Sequence, residues 1–417
     1  MDALEFICDR RFHRSFTLPP NPDIGRETSY RVSYSDFGDS QSNAVVLLCG
    51  ALMGMRLSYS PLDQLAKAYN VRIIHPDRPG IGGSDSVELE KRVEIWLELV
   101  PQLLAHLDIP YVSLASHSGG DVYLLNTLLA YPQLLHPQTP YVCFFAPWVH
   151  PTHSKVAHMW ATSMLPAPMI GKFASLVKFV NENVVPLSGM SDGVVQGIKD
   201  VLLHSTSGPA PVALTPHTTR SRETSLASRR DLYNLPLDDP DIVEDLRQHI
   251  TTFLFAESID GISADAQLFM RKPSSLSWCS PSLLWSDIDF AASLLSTMIE
   301  SDSRLDGHSR TWVIDAFHAE SDDMVGEKGK QWFDDCWMSN RASESGVESS
   351  IAGPSEPSAH APYFYRSSTV EDGDHNFLMD PAFGASEIWL QRVREAVPES
   401  GEIRSPPRYP HKSMAIY

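Results

Sequence analysis

Residues 112–121 read Val112-Ser-Leu-Ala-Ser-His-Ser-Gly-Gly-Asp121, and the fold is decided by how this stretch is interpreted. An apolar, strand-like run ends in Ser-His-Ser-Gly-Gly, and a helix-like stretch, Val122 to Tyr131, begins at once. A serine on so tight a strand-to-helix turn holds its Oγ clear of the backbone, with the next N–H groups turned toward the same space. Only small neighbours fit such a turn. Two residues before Ser118 stands Ser116, and two after it stands Gly120, a relaxed but sterically sound form of the Gly-x-Ser-x-Gly pattern. Ser118 is therefore a candidate nucleophile.

On either side of this turn the chain alternates. Tyr30 to Tyr34 and Ala44 to Cys49 are β-type runs, and the turn-forming Asp36 to Asn43 between them predicts a hairpin. Pro61 to Tyr69 has helical spacing, Val71 to His75 reads as a buried strand, and Val87 to Leu107 repeats apolar residues at helical spacing (Val93, Trp96, Leu97, Val100, Leu103, Leu104, Leu107). Tyr111 to Ser116 and Tyr141 to Ala146 continue the strands. Such alternation implies a parallel sheet with helices on both faces and sites at the carboxyl ends of its strands.

The rhythm breaks after Pro147. Residues 148–309 are mainly helical in pattern, and an insertion there is expected to form a helical cap over the site. Within it, Met159, Trp160, Met164, Leu165, Met169 and Ile170 fit either a pliable apolar pocket or plain core, and Arg220, Arg222, Arg229 and Arg230 fit either a solvated face or the rim of an entrance. Strand and helix return at Thr311 to Phe317, Gly326 to Met338, Tyr363 to Thr369 and Pro381 to Val397. The expected organisation is core at 1–147, cap at 148–309, core again at 310–398 with a flexible Ser/Glu/Gly/Pro-rich insertion at 339–360, and a tail at 399–417.

Composition narrows the classes. A chain of 417 residues, 42% hydrophobic, can bury a large core, and its 33 basic against 52 acidic residues give a net charge of −19. That balance argues against nucleic acid and anionic membrane surfaces as partners. Five scattered cysteines (Cys8, Cys49, Cys143, Cys279, Cys336) form no Cys-x-x-Cys, so neither a disulfide framework nor a metal site is expected. The N-terminus lacks signal-peptide order and the longest apolar run, Ala44 to Met55, is too short to span a bilayer, so a cytoplasmic location without stable membrane insertion is expected. Oligomeric state is not legible.

A serine hydroxyl becomes a useful nucleophile when a histidine takes its proton and a carboxylate fixes that histidine's tautomer. His375, in Val370-Glu-Asp-Gly-Asp-His-Asn-Phe377, follows the last strand and suits the base. For the acid, the loop His318-Ala-Glu-Ser-Asp-Asp-Met-Val325 offers Asp322, with Asp323 a near rival and Glu320 a weaker one. Gly119 would supply one oxyanion N–H, and the loop Cys49-Gly-Ala-Leu-Met-Gly54 the other, from Ala51. The Gly-rich loop His75 to Asp85 has no Gly-Lys-Ser/Thr and no Gly-x-Gly-x-x-Gly, which argues against nucleotide binding.

Together the turn at Ser118, the loop Asp77-Arg-Pro-Gly-Ile-Gly-Gly-Ser-Asp85, the acid loop and the Gly-Asp-His segment resemble the α/β-hydrolase superfamily over residues 28–147 and 310–398. The resemblance implies a mostly parallel central sheet flanked by helices, with Ser118 as nucleophile, Asp322 as acid, His375 as base and Ala51 with Gly119 at the oxyanion hole. It implies no cofactor and no metal. Cys49, Ser116 and Ala319 depart from the family's usual His, Gly and Gly at those places, and the Asp322 to His375 interval is longer than usual. A serine nucleophile implies acyl transfer to water from a small-molecule acyl substrate, most simply an uncharged, fairly apolar carboxylic ester. The same three groups would serve a thioesterase or a carbon–carbon bond hydrolase, and the scaffold can also be a catalytically silent ligand-binding protein.

Overall fold

The computed structural model describes residues 2–183, 235–237, 239–283, 285–306, 310–342 and 363–397. One eight-stranded sheet runs through it, in spatial order β1-β2-β4-β3-β5-β6-β7-β8. Its strands are β1 Arg14–Leu18, β2 Tyr30–Gly38, β3 Ala44–Cys49, β4 Val71–Pro76, β5 Ser113–His117, β6 Tyr141–Phe145, β7 Trp312–Ser321 and β8 Tyr363–Asp374. From β4 to β8 every neighbouring pair is parallel, and β1 and β2 join antiparallel at one edge.

The helices are α1 Ala3–Ile7, α2 Asp63–Ala68, α3 Arg92–His106, α4 Gly120–Ala130, α5 Pro151–Ser154, α6 Ala157–Ser163, α7 Ala167–Ile170, α8 Phe173–Asn183, α9 Pro240–Ala256, α10 Asp260–Phe269, α11 Ile288–Asp306, α12 Gly326–Ala342 and α13 Ala385–Ala396. β3 shows why they fall on both faces of the sheet. All six of its residues are buried, with Val45, Leu47 and Cys49 in the core shared with α3, α4 and α12, and Ala44, Val46 and Leu48 in the core shared with α1, α2 and α13. A continuous apolar run is what a strand covered on both sides requires.

The hairpin expected between β2 and β3 does not form. Tyr34 and Ser35 pair with Pro76 and His75 of β4, and both edges of β3 are taken by the parallel strands β4 and β5. β2 and β3 therefore lie on opposite sides of β4 and are not hydrogen-bonded to each other. β1 has no counterpart among the sequence expectations, because Arg-Ser-Phe-Thr-Leu is an edge strand with mostly exposed side chains and little apolar alternation.

Helices α5 to α11 lie between β6 and β7, and this insertion is tied to the core by buried and half-buried polar contacts. Asn126 of α4 donates to the Trp278 carbonyl at 2.7 Å and accepts from the Ser280 N–H at 3.1 Å. Arg56 donates to Glu257 at 2.5 and 2.6 Å. Of the apolar residues weighed as pocket or core, Met159 and Ile170 are buried, whereas Trp160, Met164, Leu165 and Met169 are exposed. Of the insertion expected at 339–360, residues 339–342 continue α12 and 343–360 lie outside the described residues, as do the Arg220 to Arg230 group and the tail at 399–417. Among the described residues no helix is long and apolar enough to cross a membrane.

Candidate active site

β5 ends at His117 and α4 begins at Gly120, so Ser118 occupies the tightest part of the connection, with φ at +51°. Its N–H donates to the Phe145 carbonyl at 2.9 Å and its carbonyl accepts from Asp121 N–H at 3.0 Å, which fixes the turn from both sides. Gly120 is required by close approach, since a Cβ there would collide with the Cys49 carbonyl. Ser116 is tolerated because it is a regular strand residue, paired with Cys49 and Phe144.

β7 and β8 bring the other two groups to the same sheet edge. After a shift in register at Ala319–Ser321, Ser321 is paired with Asp374, so the next residue on each strand, Asp322 and His375, leaves the sheet beside the other. His375 Nε2 lies 2.7 Å from Ser118 Oγ, and its Nδ1 lies 2.9 Å from Asp322 Oδ2. The remaining oxygen of Asp322 accepts from the Met324 and Val325 N–H groups at 3.0 and 2.8 Å. Burial opposes ionisation of Asp322, but attraction to an imidazolium at His375 and these hydrogen bonds outweigh it and hold the carboxyl below its ordinary value.

The rival acids have other positions. Asp323 is exposed, and Glu320 accepts from the Asp372 N–H at 2.9 Å on the surface. Asp315, within β7, is engaged by Tyr141, Arg366 and Arg392, and Asp374 caps the turn after β8 by accepting from Asn376 and Phe377. With an acceptor at Nδ1, His375 carries its proton there and offers the Nε2 lone pair to the serine hydroxyl. Ser118, Asp322 and His375 are 5%, 8% and 4% exposed, so the relay is shielded from bulk water. Phe269 at the end of α10 contributes to the shielding, and a Cβ on Gly119 would run into its ring.

Gly119 sits at the N-cap of α4, where the first N–H groups have no intrahelical acceptor. Ala51, the other expected donor, lies in the loop after β3. Its N–H donates to Tyr59 Oη at 2.9 Å, so in this conformation the amide is satisfied by a side chain. Tyr59 Oη also lies 3.1 Å from His117 Nδ1, and His117 Nε2 lies 2.7 Å from the His375 carbonyl. A carbonyl can only accept, which puts the His117 proton on Nε2 and makes Nδ1 the acceptor for the Tyr59 hydroxyl. Burial, then repulsion from His375, lowers the His117 imidazole to about 4, and burial raises Tyr59 to about 12, so both stay neutral near pH 7. The chain of bonds links the Ala51 amide to the backbone of His375. Sequence reading missed Tyr59 and His117 because their partners are distant in the chain, although His117 stands beside Ser118.

Below this loop, His75 of β4 is fully buried, and a Cβ on Gly50 would lie 2.6 Å from its Nε2. Burial, with the Arg78 and Arg56 guanidiniums adding to it, pushes this imidazole down to about 3. The folded state thus disfavours a proton that the unfolded chain binds near pH 6.5. The stability that His75 contributes is complete above that value and is lost as pH falls toward 3. Urea denaturation at pH 7 and pH 5 should show the wild type losing on the order of 2 kcal/mol more than His75→Gln over that interval. Equal losses in the two proteins would contradict this.

No family model matches the chain, and no curated protein matches its sequence. Solved structures do. An epoxide hydrolase from Vigna radiata is 13% identical, with 93% of this chain and 98% of that one covered and a TM-score of 0.50. The chain has the α/β-hydrolase fold. A carboxylesterase of Nitrososphaera gargenis (13% identity, 92% and 100% covered, TM-score 0.48) and a haloalkane dehalogenase of Bradyrhizobium elkani (11%, 92% and 100%, 0.48) are also similar. In this α/β-hydrolase fold the relay sits at the carboxyl ends of β5, β7 and β8, where parallel strands deliver their following loops. Among the described residues no group of three or more His, Cys, Asp or Glu side chains is placed to hold a metal ion.

Proposed function

We propose that the protein is a serine hydrolase that cleaves an uncharged, fairly apolar carboxylic ester through an acyl-enzyme. The observation that carries this reading is the continuous hydrogen-bond relay from Ser118 Oγ through His375 to Asp322. In the forward half-reaction, Ser118 Oγ attacks the ester carbonyl carbon while His375 Nε2 takes the hydroxyl proton and then returns it to the departing alkoxide. Water, deprotonated by the same nitrogen, releases the acid. Asp322 stays ionised throughout and steadies the imidazolium. Epoxide or haloalkane opening would need a carboxylate nucleophile at the turn, whereas Ser118 offers a hydroxyl.

The charge that develops on the carbonyl oxygen is assigned to the N–H groups of Gly119 and Ala51, the latter exchanging Tyr59 Oη for the more strongly charged substrate oxygen. The helices between β6 and β7 serve as the cap. Its Phe269 covers Gly119, and its Phe173, Val177 and Phe255 pack with Met53 of the loop after β3, apolar surroundings that favour an uncharged acyl group. Intact-mass measurement after treatment with a fluorophosphonate should show a single adduct, and p-nitrophenyl esters of increasing acyl length should be turned over at rates that rank the acyl site. A folded protein that takes up no adduct and hydrolyses none of the esters would sink the proposal.

A further inference from the structure

The Gly/Pro-rich loop after β4 has no role in the relay, yet one of its side chains reaches the loop after β3. Arg78 is fully buried and donates to three successive carbonyls, Gly50 at 2.5 Å, Ala51 at 2.6 Å and Leu52 at 2.8 Å. In a trans peptide the C=O and the following N–H point in opposite directions. Turning these carbonyls onto one guanidinium therefore turns the N–H groups of Ala51, Leu52 and Met53 away from it.

The guanidinium is itself held from the insertion. Its Nε donates to Asp265 Oδ2 at 2.6 Å, and Asp265, on α10, also accepts from Arg92 Nε at 2.8 Å and Tyr123 Oη at 2.5 Å. Burial disfavours the Asp265 carboxylate, but Arg92, Arg78 and the hydrogen bonds outweigh that, and its pKa is lowered. Asp265 lies one helical turn before Phe269, the residue that covers Gly119.

We propose that Arg78 is a positioning residue that aims the oxyanion N–H groups of the loop after β3, and that Asp265 makes this dependent on the docking of α10. The inference rests on the serine-hydrolase reading above. Arg78→Lys keeps the charge but cannot span three carbonyls and a carboxylate. With p-nitrophenyl butyrate, it should lower kcat by roughly 30- to 100-fold while KM changes less than about threefold, and an alkyl trifluoromethyl ketone, which mimics the tetrahedral adduct, should lose affinity by the same factor as kcat. Arg92→Lys perturbs the same carboxylate but donates to the Pro79 carbonyl instead of the oxyanion loop. It should lower Tm comparably and leave kcat within about threefold.

Equal losses of kcat in the two variants, or an unchanged kcat in Arg78→Lys, would overturn the proposal. If Arg78→Lys does not fold, Asp265→Asn, which retains both arginines, should still reduce kcat and ketone affinity in parallel, and a fall in Tm alone would count against it. Failure of the wild type to react with a fluorophosphonate would instead refute the underlying hydrolase reading.

Discussion

Ser118→Ala is expected to lower ester turnover by about 10⁴- to 10⁶-fold and to abolish fluorophosphonate labelling, because no other group in the relay can form the acyl bond. Thermal stability should change little, within about 2 °C, since the hydroxyl fills no core space and alanine meets the same backbone strain at positive φ. Loss of one hydrogen bond to His375 is the main perturbation. The variant should retain the wild-type circular dichroism spectrum and bind the intact ester. Activity near the wild-type level would remove Ser118 from the chemistry altogether.

Asp322→Asn should cost about 10⁴-fold in kcat, whereas Asp323→Asn should stay within about twofold of wild type. The asparagine oxygen can keep accepting from Met324 and Val325, and that leaves its NH₂ facing His375 Nδ1. A donor there selects the imidazole tautomer protonated on Nε2, which cannot accept the Ser118 proton. Asp323 faces solvent and touches none of these groups. The reverse ranking of the two variants would move the acid by one position. Because the Asp322 pKa is lowered on folding, its interaction with His375 contributes stability that is complete above the ordinary carboxylate range and is lost as pH falls through the lowered value.

What was legible in the sequence was local. Ala44–Cys49 and Tyr141–Phe145 reveal themselves as central strands because a strand buried on both faces must be apolar throughout. The turn at Ser118 is legible because its steric demands fall on its immediate neighbours. Asp322 could be preferred to Asp323 by loop spacing, and the structure buries the first and exposes the second. Pairing between distant segments left no such trace. Neither the placement of β2 against β4 nor the edge strand β1 could be read from alternation, because both depend on which strand occupies the sheet centre.

The same limit applies to the side chains around the relay. Arg78 and Asp265 are 187 positions apart, and Tyr59 and His117 are 58 apart. Nothing in either segment encodes its partner. Tyr59 explains why the Ala51 amide, legible as a donor, is satisfied by a side chain in this conformation. The methionine-rich stretch after Pro147 fails for a different reason. Its residues have the composition of a pocket lining, yet helices α6 and α7 turn Trp160, Met164 and Met169 outward.

The backbone at Ser118 also bears on how such a chain changes over generations. A left-handed conformation costs a residue with a Cβ about 1 kcal/mol, and glycine would adopt it without that cost. Glycine at Ser118 would relieve that strain, against the loss of the hydroxyl's hydrogen bond to His375 and a more flexible unfolded chain. The turn works as a ratchet. On the serine-hydrolase reading, a lineage released from the need for catalysis could discard its nucleophile and relieve this strain, and regaining the nucleophile would mean taking the strain on again.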